Sequence, residues 1–220
     1  MSQPRSRISQ PRSRTPLVIG IVLAVVAVVA IAAVVLTGGD DDDGGSAGDA
    51  PVFGTVTLEG EPLPQGEFPD DPSVGQPVPT LRGQDYAGND TAIVPGADGP
   101  LMIVVMAHWC PHCNAEVPLL VEWGESGDVP ENLQVVGVST AAREGGEHFP
   151  PATWIEEDMG WTWPVIADDE EQTAAAALGT TGYPYLMFVD ADGNLMFRIS
   201  AELPIEDVQT LADQAAATAA

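Results

Sequence analysis

Residues 101–113 read LMIVVMAHWCPHC, and the fold of the chain turns on that stretch. Positions 101–107 form an unbroken apolar run with β-branched Ile103, Val104 and Val105 at its centre. A strand buried on both faces has that composition, whereas a strand with one wet face alternates. The run ends in His108-Trp109-Cys110-Pro111-His112-Cys113, and AEVPLLVEW follows with helical spacing. A Cys-x-x-Cys pair therefore stands where a buried strand gives way to a helix. The orphan N–H groups and dipole of a helix N-terminus favour an anion, here the thiolate of Cys110. Pro111 in the first turn loses no hydrogen bond and fixes the loop. Cys113, one turn on, is the natural resolving thiol. Thiolate is the species that attacks a disulfide, so the pattern points to dithiol–disulfide cycling with no other cofactor. His112 can add positive charge near the thiolate, and Trp109 can cover the loop as an apolar lid. The other uses of such a pair fit less well. A structural zinc site needs a second Cys/His pair, and Cys110 and Cys113 are the only cysteines. His108, His112 and His148 could complete a copper site only with awkward geometry around the tight loop. A purely structural disulfide closing so small a ring removes little chain entropy.

The flanking sequence supplies the rest of a sheet. Residues 133–138 (LQVVGV) form a second buried strand and 165–167 a short one, with a helical pattern at 154–159 between them. Residues 172–178 read as a helix stopped by Gly179. Strands at 185–189 and 195–199 are joined by ADADGN, an Asp-Gly hairpin signal, and a helix over 205–217 closes the chain. Strands alternating with helices, then a terminal antiparallel hairpin, give an α/β fold with a mixed sheet flanked by helices on both faces.

Upstream the organisation changes. Residues 17–36 (LVIGIVLAVVAVVAIAAVVL) are twenty apolar or Gly positions without a charge, and as a helix they span about 30 Å, the thickness of a bilayer's hydrocarbon core. Arg5, Arg7, Arg12 and Arg14 precede the run and Asp40–43 follow it. The positive-inside rule then keeps 1–16 in the cytoplasm and carries the rest to the outside, as a single-pass anchor in membrane lipid. The run exceeds the usual length of a cleaved signal's apolar core. Residues 37–72 are expected to be an acidic, Gly- and Pro-rich linker and lead-in, with the folded domain over 73–218. Beyond residue 14 the chain holds three arginines, no lysine and all 33 of its acidic residues. Such a surface repels phosphate backbones and excludes nucleic-acid binding.

On these motifs, residues 73–218 resemble the thioredoxin superfamily, in particular its membrane-anchored TlpA-like branch of extracytoplasmic thiol–disulfide oxidoreductases. The strand LMIVVMA before HWCPHC is similar to the family's strand and W-C-x-x-C; Pro118 matches its helix-kinking proline; Gly182-Tyr183-Pro184 matches its cis-proline loop. The long interval from Cys113 to Pro184 fits the insertion of the TlpA-like and peroxiredoxin-like branches. The resemblance implies several roles. Cys110 and Cys113 would be the redox pair, and Glu116 in the A-E-V-P stretch the acid/base for Cys113. Trp109, Pro111 and His112 would tune the pair, and the backbone at Tyr183 and Pro184 would bind an extended substrate. Val104 occupies the place where cytosolic thioredoxins keep a buried aspartate, which leaves Glu116 as the local base. The implied partners are client proteins with thiols or disulfides and a membrane electron-transfer partner. The architecture implies a protein-disulfide reductase, while the Pro111-His112 dipeptide resembles that of oxidising DsbA-type enzymes. A peroxidase of the peroxiredoxin-like branch would want a small hydroxyl residue shortly before Cys110, and residues 105–109 offer none. Copper delivery, a reading from another class, would want a longer Cys–Cys spacing and a well-placed distal histidine.

Overall fold

The structure is a computed structural model describing residues 51–219. The expected membrane helix at 17–36 lies outside the described residues, as do the segment 1–16 and residues 37–50 of the linker. Among the described residues no helix is long and apolar enough to cross a membrane.

The apolar run becomes strand β4 (Leu101–Met106), every residue of which is buried. Its neighbours explain why. It lies between β5 (Gln134–Ser139), paired in parallel, and β7 (Tyr185–Val189), paired antiparallel. The other strands are β1 (Thr57–Glu59), β2 (Thr80–Gln84), β3 (Asp90–Ile93), β6 (Val165–Ala167) and β8 (Leu195–Ile199). The sheet order is β1-β2-β6-β5-β4-β7-β8, with β3 paired to β2. Successive residues of β4 point to opposite faces. Met102, Val104 and Met106 join one core with Val117, Leu120 and Trp123 of helix α1 (Pro111–Ser126). Leu101, Ile103 and Val105 join a second core with Ala174, Ala175 and Ala177 of helix α3 (Thr173–Ala177). Each fully buried Val, Leu or Ile contributes roughly 1.5–3 kcal/mol. Helix α4 (Ile205–Ala216) covers the first face through Val208, Ala212 and Ala215. Between β5 and β6 the chain makes a short helix α2 (Pro151–Thr153) that runs on as a π-helical turn, Trp154–Asp158. Apolar packing on both faces of a sheet with β4 near its centre thus follows from one unpunctuated apolar run.

The expected domain boundary at 73 is too late. Strand β1 pairs with β2, Leu63 is buried in the second core, and Leu63 N–H donates to Ala177 C=O at 2.9 Å. The lead-in is pinned by Arg198, whose side chain is fully buried. Its Nε donates to Asp71 Oδ2 at 2.5 Å and its other nitrogens to Asp71 Oδ1, Pro64 C=O, Leu178 C=O and Ser73 Oγ. Hydrogen bonding to Arg198 holds the Asp71 carboxyl below its usual range despite burial. A charge removed from water needs that degree of satisfaction. Residues 54–72 are therefore a built part of the domain, because proline-rich chain can still supply carbonyls and one carboxylate to a buried guanidinium.

Candidate active site

The β4–α1 junction presents the cysteines as expected. Cys110 is the N-cap of α1 in extended conformation, Pro111 opens the helix, and Pro118 lies inside it. Cys113 is fully buried and Cys110 nearly so, at 5% exposure, and both are free thiols. Cys110 makes no side-chain capping bond; its Sγ donates to Tyr183 C=O at 3.4 Å. The Tyr183–Pro184 peptide is cis, which brings that carbonyl beside the sulfur. Trp109 meets the Tyr183 ring edge-on at 6.1 Å, and its indole N–H donates to Ala141 C=O at 2.7 Å.

The electrostatics separate two groups. Burial pushes the Cys113 thiol far above its usual range, and the neighbouring Cys110 and Glu116 push in the same direction. Glu116, 1% exposed, is also raised by burial, to about 7, against one backbone bond from Leu203 N–H at 3.3 Å; the charge of Glu202 raises it further. A carboxyl that titrates near neutrality beside a thiol reluctant to ionise can accept and return a proton.

His112 is placed differently from the expectation. It is exposed, and its Nδ1 lies 2.5 Å from Glu202 Oε1, so any positive charge it carries is matched by that carboxylate and not left for Cys110. His108 is fully buried and structural: its Nδ1–H donates to Glu147 C=O at 2.6 Å, and its Nε2 accepts Arg143 N–H at 3.0 Å. These partners fix the neutral tautomer, and burial lowers its pKa. With both ring nitrogens engaged, His108 has none for a metal. His148 lies on an exposed loop 4.0 Å from Asp158. Among the described residues no three His, Cys, Asp or Glu side chains come together to hold a metal ion.

One supporting residue escaped the sequence reading. Asn114 Nδ2 donates to the carbonyls of His108 (3.1 Å) and Cys110 (2.8 Å), and its Oδ1 accepts the indole N–H of Trp154 at 2.8 Å. The only sign in the sequence was a poor helix former in the first turn after Cys113.

The sequence profile of the AhpC/TSA family matches residues 74–198, more than half of the chain. The chain belongs to the AhpC/TSA family. Among curated proteins this AhpC/TSA member is 26% identical over 132 residues to a thiol:disulfide interchange protein DsbE of Haemophilus influenzae, covering 59% of the chain and 67% of that protein. It is 29% identical over 136 residues to a DsbE homolog of Paracoccus denitrificans, covering 62% and 67% respectively. Its fold is shared with a solved thiol:disulfide interchange protein of Chlorobium tepidum, at TM-score 0.53 and 21% identity over 64% of this chain and 96% of that one. The AhpC/TSA chain is a thioredoxin-fold thiol–disulfide oxidoreductase.

Proposed function

We propose that this protein is a membrane-tethered, extracytoplasmic protein-disulfide reductase in which Cys110 and Cys113 cycle between dithiol and disulfide. The observation that carries the reading is the buried Glu116 one turn from the buried Cys113, with Cys110 at the Tyr183 carbonyl. The Cys110 thiolate attacks one sulfur of a client disulfide. A new S–S bond forms, and the other client sulfur leaves as a thiolate that takes a proton. Glu116 then accepts the Cys113 proton, and the Cys113 thiolate attacks Cys110 Sγ. The bond to the client breaks, the departing thiolate takes up the proton that Glu116 received, and a Cys110–Cys113 disulfide and two client thiols remain. A dithiol donor must return two electrons for each turn, and a membrane protein facing the same side fits that need. Extended client backbone is received at Tyr183–Pro184.

The reductive direction is supported by His112. A DsbA-like oxidase stabilises its thiolate with charge in the loop, and pairing with Glu202 diverts that charge. The deciding experiment is the reduction potential of Cys110–Cys113. A value near the thioredoxin level, about −270 mV, is expected; one near about −120 mV would transfer the reading to a thiol oxidase. The tether rests on the uncharged run 17–36 and the arginines before it. Protease added to intact cells should degrade the domain while it fractionates with membranes; a soluble species beginning near residue 33 would refute the anchor.

A further inference from the structure

A pocket of about 300 Å³ is lined by Phe53, Trp109, Ala141, Arg143, Gln172 and Tyr183, and it adjoins Cys110 through its chain neighbour Trp109 and the Tyr183 carbonyl that its sulfur meets. Three features mark it as built. Arg143 lies over the Trp109 ring, its guanidinium carbon 3.3 Å from the ring centroid. Its loop is anchored by Arg143 N–H on His108, by Trp109 on Ala141 C=O and by His108 on Glu147 C=O. Secondly, Ala141 and Gln172 both adopt left-handed backbone conformations, at φ 51 and 60, which side chains with a Cβ rarely hold. Such positions cluster at functional sites. Thirdly, Gln172 Oε1 accepts the Tyr183 hydroxyl at 3.2 Å, which leaves its amide N–H groups as donors. Among the described residues Arg82 and Arg198 each hold a carboxylate and Arg143 holds none.

We infer that this pocket receives an acidic side chain that a client carries within about two residues of its reacting disulfide. The inference rests on the reductase reading and names the client chemistry it selects. Arg143 sits on the ring of Trp109, the residue next to Cys110 in the chain, and an extended client advances about 3.3 Å per residue, so a side chain one or two places from the attacked cysteine comes within range of the guanidinium. There a planar guanidinium can hold a carboxylate through two parallel N–H donors, and the Gln172 amide is a further donor on the pocket wall. The remainder of the domain is acidic, and Glu170 also lines the pocket, so the preference is for a carboxylate at one register and not for acidic clients at large.

The test uses two disulfide-bonded peptides of identical composition, one with Asp next to the cysteine and one with that Asp at the far end. Identical net charge cancels the field of the domain as a whole. With the full chain, reduced, the expected ratio of second-order rate constants is about three- to tenfold in favour of the adjacent acid at low ionic strength, shrinking as salt rises. Arg143→Gln should bring the ratio to about one, and Arg143→Lys should keep part of it. Equal rates for the two peptides in the wild-type chain overturn the inference and leave the reductase reading standing, as does a ratio that survives Arg143→Gln. Reaction with neither peptide overturns the reductase reading, and the inference with it.

Discussion

Replacing Glu116 by Gln separates what this carboxyl does for chemistry from what it costs the fold. Burial raises Glu116 from 4.5 to about 7. At ~1.36 kcal/mol per unit, ionising it inside the protein costs about 3 kcal/mol relative to the unfolded chain. The sign follows from the direction of the shift. Between 4.5 and about 7 the folded state binds more protons than the unfolded state, so stability falls as pH rises through that window and stays lower above it. Gln keeps the acceptor for Leu203 N–H and never ionises. Urea denaturation of the reduced protein should therefore show Glu116→Gln unchanged within about 1 kcal/mol at pH 4.5, and more stable by about 1–3 kcal/mol at pH 8. Disulfide exchange should move the other way, slower by about tenfold to a hundredfold, at or below the low end of general-base effects because water partly substitutes. The rising limb of the wild-type rate near pH 7 should vanish in the variant. Superimposable pH–rate profiles, together with equal stabilities at pH 8, would refute the argument and leave Glu116 as an incidental carboxyl.

Cys113→Ala should trap mixed disulfides with clients through Cys110, whereas Cys110→Ala should trap none; non-reducing electrophoresis decides, and the reverse pattern rejects the assignment of roles. Asp71→Asn removes the partner of a fully buried guanidinium and should cost about 3–5 kcal/mol in denaturant unfolding. Because Asp71 is held below 3.8 by Arg198, its contribution is complete above that value and is lost as pH falls through and below it. A chain starting at residue 73 should fail to unfold cooperatively, while one starting at 51 should do so. Circular dichroism during urea titration compares them, and equal stabilities would return 51–72 to the status of a linker.

The parts legible in the sequence were those whose structure is decided by near neighbours. The hairpin strands at Tyr185–Val189 and Leu195–Ile199 coincide with the expected ones, because an Asp-Gly turn between apolar runs fixes both ends. Strands β2 and β3 went unread: TLRGQ and DTAI each bury a single side chain, Leu81 and Ile93, so neither shows the alternation of a half-buried strand. Arg198 carried no local sign of its buried role, since the residue that neutralises it lies 127 positions earlier. Glu116 was identified by position, but the backbone N–H that holds it belongs to Leu203, 87 residues downstream. His112 was expected to serve the thiolate, and Glu202, 90 residues away, holds it elsewhere. Side-chain identity and local spacing locate the chemistry; long-range partners set its strength.

The Asn114–Trp154 bond links the first turn of α1 to the connection between β5 and β6. Trp154 belongs to the stretch between β5 and β6, which the resemblance reads as an insertion, and is completely enclosed. Asn114 in turn grips the carbonyls of His108 and Cys110, on either side of Trp109. The insertion therefore works as a clamp on the nucleophile's own backbone. A shortened descendant lacking it would free Asn114 to rotate, and the amides of residues 109–114 would exchange with deuterium faster. Trimming this region would loosen the reacting sulfur before it loosened the sheet.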